Sequence, residues 1–194
     1  MLLKFSRNRL LSRINCEKDV LTLIDKFDVY LGGGALRGCF TTSSEDIVDY
    51  DIFFHSLNKV DKAQDFLLNR GYEKIFECPL GLLSTYKKNS VKIQFIKEFT
   101  YASPQAAIET FDLNACCICM NKTHVYTTYS AIRAIRKKEI TFNRIDYPVA
   151  TFKRILKYLK KGYSIPNKSV DTYVNNIYYK GLHGQELNTR IYVD

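Results

Sequence analysis

Residues 29–54 read "VYLGGGALRGCFTTSSEDIVDYDIFF", which places three consecutive glycines, an arginine and an Asp-x-Asp pair within one short span. On an extended strand, side chains two residues apart face the same way, so Asp49 and Asp51 present two carboxylates side by side. Like charges that close repel unless a cation compensates them, and oxygen-only donors favour Mg2+ or Mn2+. A glycine turn set against such a pair lets a triphosphate approach the backbone. Metal ions at the carboxylates then hold the phosphates and align an attacking hydroxyl for in-line displacement. An Asp-x-Asp pair also occurs as a plain solvated strand end; the strand, glycine pair and helix just upstream favour the metal site.

Other glycine-rich motifs lack a partner here. Counted from Gly32, the dinucleotide fingerprint G-x-G-x-x-G has Arg37 where its third glycine belongs. Gly33 and Gly38 have the separation of a phosphate loop, but Cys39 and Phe40 follow in place of Lys and Ser/Thr. "GGGALRG" is similar to the oxyanion-hole motif of patatin-like phospholipases, yet the chain holds no G-x-S-x-G nucleophile elbow. Acyl hydrolysis therefore stands as a minor alternative.

"LGGGALRG…DYDIFF" resembles the signature of the DNA polymerase β-like nucleotidyltransferase superfamily, in which a Gly-Gly turn precedes a strand carrying D-x-D. Its head motif is most similar to the tRNA nucleotidyltransferase (CCA-adding) and poly(A) polymerase type. "FKRILKYLKKGYSI" is similar to the basic neck helix of those enzymes. The resemblance implies a nucleotidyltransferase-fold mixed sheet flanked by helices, with Asp49 and Asp51 binding Mg2+ (or Mn2+). It also implies that Gly32, Gly33 and Gly34, with Ser43 or Ser44, receive the triphosphate of an NTP, and that Arg37 holds the loop or a phosphate. The chain departs from the pattern in places. Gly38 stands where the CCA-adding group has an aspartate after the arginine, no base-reading region is recognisable, and the long body and tail domains are absent from the 194 residues. In many superfamily members a third carboxylate sits on a neighbouring strand. The strand expected to carry it, "VKIQFIKEF", has Gln94 at that place, and an amide cannot accept a proton at neutral pH. Glu98 and Asp112 are the substitutes, and Asp112 is preferred as the third catalytic residue.

The elements that must position these residues are readable in outline. Residues 19–27 have helical spacing, "DVYLGG" is a short strand ending in the glycine turn, and "GALRGCF" is a helix leaving it. Residues 47–54 form the D-x-D strand. A helix then runs to Gly71, followed by three strands: "YEKIFE", "LLSTYKK" and "VKIQFIKEF". Pro104 opens a short helix, "LNACCICM" and "HVYTTY" pair as strands, and "SAIRAIRKK" is helical. From Tyr147 the pattern is purely helical. Phe152, Ile155, Leu156 and Leu159 form its apolar stripe, with Lys153, Lys157, Lys160 and Lys161 on another face. The expectation is an α/β (α+β) catalytic domain over residues 1–145 and a basic helical extension over 146–194.

Composition sets the outer bounds. A net charge of +9 favours polyanionic partners, and the same excess also suits a merely basic surface. Arg133, Arg136, Lys137 and Lys138, with Lys153, Lys157 and Lys160, make a phosphate-binding surface for RNA or tRNA, and Tyr158 and Tyr163 are placed to stack bases. The six cysteines are scattered, with no pair of C-x-x-C motifs; three lie in the apolar run "CCIC", where free cysteine behaves as a small buried hydrophobe. His124 lacks the second ligand cluster that zinc needs, His183 has no partner in sequence, and His55 at a strand end reads as structural. The N-terminus is too charged for a signal peptide, and no segment reaches the roughly 20 apolar residues of a membrane span. A reducing cytoplasm fits this cysteine usage. The function expected is transfer of a nucleoside monophosphate from an NTP to an acceptor hydroxyl, on RNA or tRNA in preference to protein. A toxin or defence component would use the same step on a different acceptor. The alternative is a non-catalytic nucleic-acid-binding module on the same fold.

Overall fold

The computed structural model describes residues 1–41, 47 and 49–179 of the 194-residue chain. Eight strands form one mixed sheet: β1 (Leu2–Ser6), β2 (Val29–Gly32), β3 (Tyr50–Phe54), β4 (Glu73–Glu77), β5 (Leu83–Lys88), β6 (Val91–Thr100), β7 (Ile118–Met120) and β8 (His124–Thr128). Their order across the sheet is β1-β8-β7-β2-β3-β6-β5-β4, with β3 and β6 parallel and the other neighbours antiparallel. The helices are α1 (Arg7–Leu11), α2 (Lys18–Phe27), α3 (Val60–Leu68), α4 (Pro104–Thr110), α5 (Tyr129–Lys137), α6 (Pro148–Lys160) and α7 (Asn167–Tyr179).

Strand alternation divides the core between the two faces of the sheet. Leu31, Tyr50, Ile52 and Phe54 join Val20, Leu23 and Leu67 of α2 and α3 in the larger apolar cluster. Their neighbours Tyr30 and Phe53 point the other way, into a smaller cluster with Ala107 and Ile108 of α4. Asp51 shares the parity of Phe53 and so belongs to this second, less heavily covered face.

Local signals place the helix starts. The Ser103 hydroxyl accepts from the Ala106 N–H at 3.2 Å with Pro104 in the first turn, and Thr128 caps α5 through the Ala131 N–H at 3.1 Å. Three expectations shift. The D-x-D strand starts at Tyr50, which leaves Asp49 one residue ahead of it. The run "LNACCICM" is a strand only over β7, because Asn114–Cys116 turn as a 3-10 helix. The Asn114 amide fixes that turn by donating to Thr141 Oγ1 at 3.0 Å and to the Phe142 carbonyl at 2.9 Å. On α6 the stripe differs most: Phe152, Leu156 and Leu159 are exposed, and the buried face carries Thr151, Ile155 and Tyr158. Among the described residues no helix is long and apolar enough to cross a membrane.

Candidate active site

The register of the central strands builds the site. Gly32, at the end of β2, lies opposite Asp51 on β3, and Gln94 on β6 lies on the other side of the same aspartate. Gly33–Phe40 leaves β2 as a 3-10 helix. Gly33 has φ +73°, which suits glycine, and a Cβ there would sit 3.4 Å from Asp51 Oδ2. The turn is thus packed against the carboxylate. At Gly34 the constraint is space, since a Cβ would come within 2.8 Å of Arg37 Nη1.

These residues open onto a cleft of about 710 Å3. Gly33, Gly34, Arg37, Asp49, Asp51, Gln94, Glu98 and Asp112 all line it, so the sequence-predicted core of the site converges. Ser43 and Ser44 lie outside the described residues. Of the seven basic residues expected to form the phosphate-binding surface, Lys157 alone lines this cleft; Arg133, Arg136, Lys137, Lys138, Lys153 and Lys160 are exposed elsewhere on the surface.

Two cations that the sequence reading missed, Arg144 and Arg154, join Lys157 in the wall, together with Lys161 of the expected lysine face. Thr151, Arg154, Lys157, Tyr158 and Lys161 follow the spacing of one helical face, and that spacing was the available signal. The expected base-stacking tyrosines are instead interior: Tyr158 and Tyr163 are buried and meet edge to face at 4.8 Å. Burial pushes the Tyr158 hydroxyl well above its ordinary value, so it stays protonated.

Arg37 and Asp112 each reach α6. Arg37 is 3% exposed; its Nη1 donates to the Tyr158 hydroxyl at 2.5 Å and its guanidinium lies 5.0 Å from the centre of the Tyr158 ring. The Asp112 carboxylate accepts from the Leu113 N–H at 2.7 Å, from Thr151 Oγ1 at 3.0 Å and from Arg154 Nη1 at 2.5 Å. A carboxylate held by a cation and two further donors is fixed in place. Its geometry is that of a strut between residues 112 and 154.

Among the described residues no group of three or more His, Cys, Asp or Glu is arranged to hold a metal ion. The donors beside the glycine turn are the Asp49 and Asp51 carboxylates and the carbonyl of Gln94, whose amide Nε2 donates to Thr85 Oγ1 at 3.4 Å. This all-oxygen set fits a hard divalent cation whose remaining ligands come from a bound phosphate or water. All six cysteines are free thiols. Burial raises Cys39 to about 12 and pushes Cys117 and Cys119 up as well, which suits apolar packing and not reactivity.

Solved structures share this architecture. A Thermotoga maritima CCA-adding enzyme complexed with tRNA superposes with a TM-score of 0.65 at 16% identity, covering 96% of this chain and 49% of that one. A CCA-adding enzyme in complex with ATP gives 0.64 at 14% identity, covering 97% and 50%. A tRNA nucleotidyltransferase with a primer tRNA and an incoming ATP analogue gives 0.55 at 17% identity, covering 87% and 53%. At these identities the likeness is one of fold, and the chain spans about half the length of each. The mixed α/β fold is therefore that of the nucleotidyltransferases. No curated protein matches the chain by sequence. Residues 1–138, which include the glycine turn, both aspartates of the D-x-D pair and Gln94, match the family model described as Gabija anti-defense 2 family protein, and the chain belongs to that family.

Proposed function

We propose that this chain is a metal-dependent nucleotidyltransferase that counteracts the Gabija defence for which its family is named. It moves a nucleoside monophosphate from an NTP to an acceptor hydroxyl and releases pyrophosphate. The observation that carries the reading is the pairing of Gly32 with Asp51, which sets a glycine turn directly against one carboxylate of the D-x-D pair at a cation-lined cleft. Bound Mg2+ or Mn2+ would supply charge neutralisation and alignment at the α-phosphate. Asp49 and Asp51 would hold it, the Gly32–Gly34 turn would receive the triphosphate, and Arg144, Arg154, Lys157 and Lys161 would draw polyanions into the cleft. The first part of the chain would carry the chemistry and the helical extension from residue 146 would close the cleft. RNA or tRNA is the favoured acceptor, as in the tRNA complexes of the fold neighbours, with a protein hydroxyl as the other candidate.

The test combines two readouts. Purified protein with α-labelled NTPs, Mg2+ and pools of RNA or protein should transfer label. Expression in cells that carry the Gabija defence should abolish that defence. Both activities should disappear in the Asp49→Ala/Asp51→Ala double variant; label transfer that survives it would sink the assignment. Gln94, standing beside Asp51 where a third carboxylate is expected, favours a second reading: a binding module without catalysis. That reading requires salt-sensitive RNA binding that Asp49→Ala leaves unchanged, with no Mg2+-dependent NTP binding.

A further inference from the structure

The arginine of the glycine turn is not directed at solvent. At 3% exposure Arg37 has little surface to offer a ligand, and its guanidinium is engaged by one aromatic side chain from a distant part of the chain. Tyr158 of α6 contacts it in two ways: the hydroxyl accepts from Nη1 at 2.5 Å, and the ring lies beneath the guanidinium at 5.0 Å from Cζ to ring centre. The same hydroxyl stands 3.0 Å from Cys116 Sγ, and the ring packs on Tyr163 at 4.8 Å. The tyrosine is therefore fixed on several sides.

On its other side Arg37 touches the turn itself. Its Nη1 fills the space that a side chain on Gly34 would occupy, 2.8 Å from the ideal Cβ position. A continuous line of contacts runs from α6 through Tyr158 and Arg37 to the backbone of Gly34, next to the Gly33 that packs on Asp51. Tyr158 lies outside the segment that matches the family model, whereas Arg37 and Gly34 lie inside it. The amphipathic pattern of α6 leaves Tyr158 off the apolar stripe and gives no sign of its contact with Arg37.

From this line of contacts we propose that Tyr158 is a positioning residue of the nucleotide site: it aims Arg37, and Arg37 holds the Gly33–Gly34 turn in the form that receives a triphosphate. The inference rests on the nucleotidyltransferase reading above and deepens it, because it makes α6 part of the phosphate-binding apparatus. The side chain acts through Arg37 and touches no substrate. A hydroxyl that stays neutral suits the task, since it accepts from the guanidinium without cancelling the positive charge presented to the cleft.

The test is Tyr158→Phe, which keeps the ring beneath Arg37 and removes only the acceptor. Isothermal titration of the wild type with ATP, GTP, CTP and UTP in turn, each with Mg2+, identifies the nucleotide that binds. Tyr158→Phe should weaken that binding by about tenfold, the size expected for losing one hydrogen bond to a charged group. At saturating nucleotide its transfer rate should stay close to that of the wild type. Tyr163→Phe removes a hydroxyl from the same core, keeps the ring that packs on Tyr158, and should leave the affinity unchanged; this separates aiming from general core damage. Arg37→Lys should cost at least as much as Tyr158→Phe, and the double variant no more than Arg37→Lys alone, because one line of contacts is broken once. A Tyr158→Phe protein that melts earlier but binds nucleotide like the wild type would overturn the inference, as would additive losses in the double variant. A wild type that binds none of the nucleotides would overturn the underlying nucleotidyltransferase reading, and this proposal with it.

Discussion

Asp112 offers the sharpest separation between a chemical and an architectural role. As a third catalytic carboxylate it would leave the fold untouched when converted to asparagine and would abolish transfer. The structure supports a different expectation. Arg154 and Asp112 keep 17% and 11% of their side-chain surfaces exposed, so their pair is largely shielded from water. Asp112→Asn keeps an oxygen for the Leu113 N–H or the Thr151 hydroxyl but removes the negative charge that faces Arg154. A hydrogen bond to a charged group contributes about 1.5–3 kcal/mol, so a loss of about 2 kcal/mol is expected. For a chain of this size each kcal/mol moves the melting midpoint by about 2–4 °C, which gives a fall of roughly 4–8 °C. Adding Arg154→Gln should recover part of that loss, because it removes the charge that Asp112 neutralised. Differential scanning calorimetry on the wild type, both single variants and the double variant measures this directly. An Asp112→Asn protein that melts with the wild type yet transfers no nucleotide would refute the argument and restore Asp112 to the chemistry.

Gln94→Glu places a third carboxylate in register beside Asp51, so Mn2+ binding followed by calorimetry should tighten by about tenfold; an unchanged affinity would mean that position 94 does not share the site. Glu77 provides a pH prediction. Hydrogen bonds from Lys74, Lys97 and Ser84 hold its carboxyl down at about 2, against an ordinary value of 4.5. A depressed carboxylate stabilises the fold above its unfolded value and loses that contribution as pH falls through its folded value. The wild type should therefore lose an increment of melting temperature between pH 4.5 and about 2 that Glu77→Gln lacks. The increment will be small, because 39% of the Glu77 side chain is open to water.

Local chemistry made much of this molecule readable and tertiary contacts account for the rest. The glycine turn, the D-x-D strand and the position of Gln94 depend on short spacings and on strand parity, and the sheet register joins them as those patterns imply. The interior face of α6 was not readable in the same way. Hydrophobic periodicity selected Phe152, Leu156 and Leu159, but the interior took Thr151 and Tyr158. Those two side chains carry polar atoms, and their burial is favourable only because Asp112 accepts from one and Arg37 donates to the other. Both partners lie far from α6 in sequence, so no window of residues around the helix contains the information. The same limit applies to the cations: Lys153 and Lys157 are equivalent in composition, and only the rotation of the helix puts Lys157 in the cleft.

That rotation has a consequence for how the site is assembled. The carboxylates and the glycine turn come from the family-matched segment, and by themselves they would set negative charge against an incoming triphosphate. Besides Arg37, the compensating side chains, Arg144, Arg154, Lys157 and Lys161, come from beyond it. Two struts, Arg37 to Tyr158 and Asp112 to Arg154, fix which face of α6 is turned inward. Because the helix is amphipathic, loosening either strut would let Phe152, Leu156 and Leu159 compete for the interior and turn the cations away. Buried polar contacts that contribute little net stability can thus decide the electrostatics of the cleft by choosing the helix face, a role in which a purely apolar interface would be less selective.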